Sequence, residues 1–189
     1  VLALGWGRFS TKALWFASLM VAVGATLSAL WILIANSWQQ TPAGYHLVNG
    51  RAELTSLWAA AANPSTLPRF LHTVNACLMT GAFFVLGISA WFLLRRRYAS
   101  QAGEMFRVAL VVGFITSALQ LGLGHYHGMQ VAHTQPVKLA AFEGLFETQR
   151  YAPMLLFGIP RADLEKTTYA LPMPGMLSFV ATGRLDGEV

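Results

Sequence analysis

The sequence predicts an all-α integral membrane protein: three transmembrane helices, then an outward-facing loop domain carrying one short amphipathic helix. Three observations carry that expectation. No charged side chain occurs between Lys12 and Arg51, and residues 13–35 form a predominantly apolar run of 23 residues, against the ~20 that cross a bilayer. Two further stretches, 70–94 with 25 residues and 108–124 with 17, lack Asp, Glu, Lys and Arg. Only 11% of the 189 residues are charged and 55% are hydrophobic, far from the roughly 25% charge of a soluble domain. With 12% aromatic residues, the chain is also too rich in large apolar side chains for intrinsic disorder.

The first span is expected at about 13–35 and the second at 70–94. The third is short as an uncharged run, so it is placed at 106–124, with Arg107 snorkelling to the interface. Lys and Arg near span ends stay on the cytoplasmic side. Arg8 and Lys12 precede span one, and Arg95, Arg96, Arg97 and Arg107 with Glu104 lie between spans two and three; together these two segments carry the whole formal +5 of the chain. The segment 36–69 holds Arg51, Arg69 and Glu53, and the tail from His125 holds five bases and six acids. The N-terminus and the arginine triplet therefore face inward and the tail outward. An excess of base otherwise invites a nucleic-acid reading; here it is orientation, and no nucleic-acid partner is expected. The domain division that follows is a membrane part, 1–124, and an outer loop region, 125–189.

The most apolar parts of the tail, 151–160 and 168–182, are short and interrupted by Pro153, Pro160, Pro172 and Pro174, so they do not form a fourth span. Residues 136–148 read as one helix, capped by Thr134 or Gln135 with Pro136 at its first position. Leu139, Phe142 and Phe146 share its apolar face, and Glu143 and Glu147 lie opposite. The single Cys77 can form no internal disulfide and fits no metal-binding spacing. The chain begins at Val1, and the expectation is a piece of a longer protein.

Polar side chains at membrane depth are functional candidates. His72 lies about two residues, or ~3 Å of helical rise, inside the outer end of span two. Neutral imidazole is a good iron ligand, and a flat macrocycle packed on a helix needs a small neighbour one turn away, where Ala76 stands. The competing reading is an interfacial histidine bound to water or headgroups. Met79 returns to the same face and reads as packing, because one helix cannot bring both side chains to opposite faces of one iron. Ser28 and Asn36, about 80° apart around span one, could border a water-filled seam, or could satisfy local backbone and cap the span. Trp6, Trp15, Trp31, Trp38 and Trp91 read as interfacial anchors. Lys138, in the first turn of the tail helix, opposes the helix dipole. With Glu143 it makes a quinol site chemically sensible: the ammonium donates to a quinone oxygen and the carboxylate takes a proton. The alternative is a solvated helix face. His125, His127 and His133 form a loose cluster beyond span three and read as surface histidines, since a metal site needs a fixed ligand set.

Several motifs, in order over almost the whole chain, resemble one family. They are Gly5-Trp6-Gly7-Arg8 before span one, Ser28-Ala29-Leu30-Trp31-Ile32-Leu33 on through Ala35-Asn36 to Pro42, His72-Thr73-Val74, and Leu86-Gly87-Ile88-Ser89-Ala90-Trp91. In the tail they are Gln135-Pro136-Val137-Lys138-Leu139-Ala140-Ala141-Phe142-Glu143 and Phe157-Gly158-Ile159-Pro160. This set resembles subunit I of the cytochrome bd quinol oxidases, as an internal fragment. The resemblance implies that His72 is the axial ligand of a low-spin haem b, so that its metal is the haem iron. It implies that Lys138 and Glu143 belong to the quinol-binding loop, and that Ser28 and Asn36 match residues associated with a proton path to the oxygen-reducing haems.

The implied activity is oxidation of ubiquinol or menaquinol at the outer face and reduction of oxygen to water. A high-spin haem b and haem d would be present in the complete subunit, a second oxidase subunit would be its partner, and the setting would be a bacterial or archaeal cell membrane. The first helices of the family and the later ones, which carry the remaining haem ligands, are not in this sequence, so the piece alone is expected to be inactive. One departure is Gly124-His125 where the family usually has Gly-Asp, which puts a titratable base at the mouth of the loop. Two other functions fit the bare residues: a non-enzymatic haem b relay or anchor subunit, and a multi-pass transporter with His72 and Asn36 along its route.

Overall fold

The structure, a computed structural model, describes residues 4–189. It is built from helices and two small antiparallel hairpins, and three helices are long and apolar enough to cross a membrane: α1 (Thr11–Gln40), α3 (Thr66–Leu94) and α4 (Ala99–Thr134). The expected membrane helices are therefore all present, each longer than the uncharged run that announced it. The chain forms two compact units, Val1–Val74 and Asn75–Val189, with α3 running from one into the other.

In the first unit, Ser10 starts α1 by accepting a hydrogen bond from the Ala13 amide at 3.3 Å, which satisfies one of the donors left open at a helix start. Trp15, Phe16, Trp31 and Ile32 of α1 are exposed, as suits faces that meet hydrocarbon or further protein. The connection to α3 is ordered. Strands β1 (Tyr45–Val48) and β2 (Arg51–Leu54) pair antiparallel around Asn49 and Gly50, both at positive φ, a two-residue hairpin that the Asn-Gly pair signals. Helix α2 (Leu57–Ala61) follows, capped by Ser56. Asn63 and Ser65 are buried, and the Ser65 amide donates to Asn63 Oδ1 at 2.8 Å. The Thr41 hydroxyl lies 2.7 Å from Ser65 Oγ, so this buried polar cluster ties the end of α1 to the start of α3.

In the second unit, small residues let α3 and α4 approach: Ala82 and Ala109 are buried, and Gly113 faces Ala82 and Leu86. Asn75 Nδ2 reaches across to the Thr116 carbonyl at 2.8 Å and Gln120 Oε1 at 2.6 Å. Helix α4 does not stop at Gly124 but continues to Thr134, so His125, His127 and His133 stand on a rigid helix rather than in a loose segment. Helix α5 (Pro136–Glu143) follows after Gln135 alone. It ends at Glu143, not at Thr148, because Gly144 adopts the left-handed conformation at φ 63°, which glycine enters without steric cost and which closes a helix. Strands β3 (Met154–Arg161) and β4 (Lys166–Met173) then form a hairpin around a 3-10 turn, Ala162–Leu164, where the sequence had suggested only irregular tail. The chain closes with α6 (Met176–Thr182). Leu139, Ala152, Leu177 and Ala181 form the core of this region, with Val131 and Leu145 packed against it. Gly128 of α4 is needed where α6 comes close, since a Cβ there would stand 2.6 Å from Val180 Cγ1.

Candidate functional site

His72 is the seventh residue of α3, because the helix begins four residues before the uncharged run. Its side chain is half-buried, and the small, half-buried Ala76 follows one turn further along the helix. One turn earlier is Arg69, also half-buried. Its Nη1 donates to Asn36 Oδ1 of α1 at 2.9 Å. Asn36 is therefore neither a helix cap, since α1 runs on to Gln40, nor a lone polar group. Ser28 lies eight residues back on α1 and is exposed, with no hydrogen bond that joins it to Asn36. An imidazole with a small neighbour one turn on fits the donor chemistry of a haem-iron ligand.

In the second unit, Lys138 and Glu143 share α5 but lie about 140° apart around it. Phe142 connects them. Lys138 Nζ sits 5.4 Å from the centroid of the Phe142 ring, a cation–π contact, and Phe142 and Glu143 together line a small cavity of about 110 Å³ closed by Gly158, Pro160 and Thr167. A neighbouring cavity of about 260 Å³ also has Glu143 in its wall, with Phe146, Pro153, Leu155 and Lys166. Burial raises the Glu143 carboxyl above the ordinary carboxylate range. The Thr167 hydroxyl donates to the Gly144 carbonyl at 2.8 Å, fixing the β-hairpin against the end of α5. The Phe157-Gly158-Ile159-Pro160 and Gln135-to-Glu143 motifs thus meet in space at the Glu143 cavity.

One sequence expectation is corrected here. Leu139 is buried as the apolar face of α5 requires, but Phe142 is 70% exposed and Phe146 is exposed too, because the helix turns its Leu139 side to α4 and α6. The aromatic ring serves Lys138 and the cavity instead of the core. His125, the residue that departs from the expected Gly-Asp, stacks on Phe179 of α6 with ring centroids 5.0 Å apart, so it takes a packing place. Sequence reasoning missed Arg69 and Asn75, three residues either side of His72 and hence on neighbouring positions of its helix face; a polar residue at i−3 or i+3 was the available signal.

The family model for cytochrome bd terminal oxidase subunit I matches residues 1–189. The chain belongs to that family. It is 40% identical over 188 residues to the cytochrome bd-II ubiquinol oxidase subunit 1 of Escherichia coli (strain K12), an alignment that takes in 98% of this chain and 37% of that protein. It is 35% identical over 187 residues to the cytochrome bd ubiquinol oxidase subunit 1 of Bacillus subtilis (strain 168), covering 98% of this chain and 40% of that one. Among solved structures, the bd oxidase from Geobacillus thermodenitrificans superposes with a TM-score of 0.83 at 32% identity, over 98% of this chain and 43% of that chain. This bd subunit I chain thus spans about two fifths of the length of the curated relatives it matches, and its three apolar helices place it in a membrane.

Proposed function

We propose that this chain supplies the quinol-oxidising loop and one axial haem ligand of a membrane quinol:oxygen oxidoreductase that reduces oxygen to water. The observation that carries the reading is the α5 arrangement: a partly desolvated carboxyl, Glu143, in the wall of cavities roofed by the β3–β4 hairpin, and an ammonium, Lys138, over the ring of Phe142, which lines the smaller of them. Lys138 donates a hydrogen bond to an oxygen of the quinol head group and polarises it. Glu143 takes up the hydroxyl proton that quinol releases, and its raised proton affinity brings it nearer the operating pH, where a general base is most effective. Exposed Phe142 gives the flat head group a ring to pack on. A haem b held through the His72 imidazole would supply a one-electron acceptor.

Ubiquinol and menaquinol both meet these contacts. In the complete oxidase a second subunit, a high-spin haem b and haem d would supply the oxygen chemistry, and Ser28 and Asn36 of α1 would border the proton path that the resemblance implies. The charge distribution supports an inward N-terminus and a quinol region, 125–189, outside the cell membrane.

The reading is tested by reduced-minus-oxidised spectra of the complete oxidase carrying His72→Ala. The expected result is loss of the low-spin haem b band with the other haem bands kept; a transporter would show no haem bands in either protein. A low-spin band of unchanged intensity in the variant would refute the assignment of His72.

A further inference from the structure

Arg69 carries a charge that the described residues do not balance. It lies on α3 in the approach to the membrane span, half-buried, and no carboxylate stands within ion-pair distance of it. The only acid in residues 1–74 is Glu53, and it faces His46 on the β1–β2 hairpin at 3.9 Å. Asn36 takes Nη1 of the guanidinium at 2.9 Å, but it is neutral, and Arg69 Nε is buried with no acceptor. A half-buried guanidinium with no counter-charge beside it is expensive to leave so, and a carboxylate is the group whose geometry its fork matches. The position narrows the choice of carboxylate. Arg69 is three residues from His72, about 4.5 Å of helical rise toward the start of the helix and on an adjoining part of its face. A group ligated by His72 is therefore within reach of the Arg69 side chain.

We infer that Arg69, held in place by Asn36, binds a carboxylate side chain of the haem that His72 ligates and supplies the positive charge that keeps that haem easy to reduce. The inference rests on the reading of His72 as haem ligand. Asn36 thereby gains a second duty: its Oδ1 holds Nη1 and so fixes the guanidinium beside the His72 ligand. A cation close to the macrocycle favours the ferrous form, which carries one positive charge fewer, so its removal lowers the midpoint potential.

The test is a spectroscopic redox titration of the low-spin haem b in the complete oxidase, comparing the unaltered protein with Arg69→Gln and Arg69→Lys. Arg69→Gln is expected to shift the ferrous-to-ferric ratio at fixed potential by about tenfold toward ferric, a midpoint about 59 mV lower for one electron, and Arg69→Lys to recover most of the shift. Loss of the low-spin haem from the Gln variant but not from the Lys variant would support the same charge contact. An unchanged midpoint in Arg69→Gln overturns the inference, since the guanidinium then pairs with something remote from the haem, such as a lipid phosphate. Equal loss of haem from both variants overturns it too, because shape rather than charge would then be the requirement. His72→Ala separates the two readings: if the low-spin band survives that change, the ligand assignment falls, whereas a band that depends on His72 but ignores Arg69 removes only the inference.

Discussion

Burial makes the Glu143 carboxyl hold its proton more tightly, whereas its proposed role as the base in quinol oxidation needs the same group to start without one. The consequence has a definite sign. With its folded-state pKa raised above the unfolded value, the carboxyl favours folding when protonated, and that contribution is lost as pH rises from the ordinary carboxylate range through the raised value. Activity runs the other way, because only the deprotonated group can accept the proton. Quinol oxidation by the complete oxidase should therefore rise with pH along a limb set above the usual carboxylate range. Glu143→Gln should erase that limb and slow turnover by about 10²-fold or more, with haem content unchanged. Lys138→Gln should weaken quinol binding and raise KM while keeping the acid limb. Steady-state rates against pH check both, and normal turnover in both variants would count against the site. The residue scale is also where the sequence was least legible: the role of Phe142 depends on which side of α5 meets α4 and α6, and periodicity alone assigned the ring to the wrong side.

At the scale of elements, the α3–α4 pair joins through small residues and a single buried amide, Asn75. Interhelical hydrogen bonds in membrane proteins contribute about 0.6 kcal/mol on average and up to about 1.7. Asn75→Ala should accordingly lower stability by about 1 kcal/mol, read as a lower midpoint in thermal or detergent unfolding of the complete oxidase. A midpoint that does not move would mean that Ala82, Ala109 and Gly113 suffice to hold the pair. The three apolar helices were readable before any coordinates because the cost of burying charge in hydrocarbon leaves long uncharged runs. Their ends were not, since Thr66, Pro68 and Arg69 continue α3 beyond its uncharged run, and residues 125–134 continue α4 although they are too polar to count as span. The two hairpins were missed for a different reason: β1 and β2 have four residues each, and all four strands are largely exposed on both faces, so the alternation that marks a half-buried strand never develops. The Asn49-Gly50 pair was the one local cue.

At the scale of the whole molecule, the uneven distribution of base between the ends of the spans predicts a topology that labelling can read. In the complete oxidase with Cys77→Ala, an impermeant thiol reagent added to intact cells should label Gly50→Cys in the β1–β2 turn and Leu164→Cys in the tail turn, but not Ser100→Cys near the arginine triplet. The opposite pattern would invert the orientation and move quinol oxidation to the inner face. One further consequence follows from α4. Its 36 residues measure about 54 Å at 1.5 Å per residue, against roughly 30 Å of hydrocarbon, so the helix serves as a mast on which α5 is mounted with a single residue, Gln135, as the joint. The distance of Glu143 from the apolar part of α4 and its compass bearing are then set by residue count. One residue added to residues 129–134 would shift α5 by about 1.5 Å and swing it by about 100° relative to α6, which packs on Gly128, so deletions and insertions there act as changes of aim.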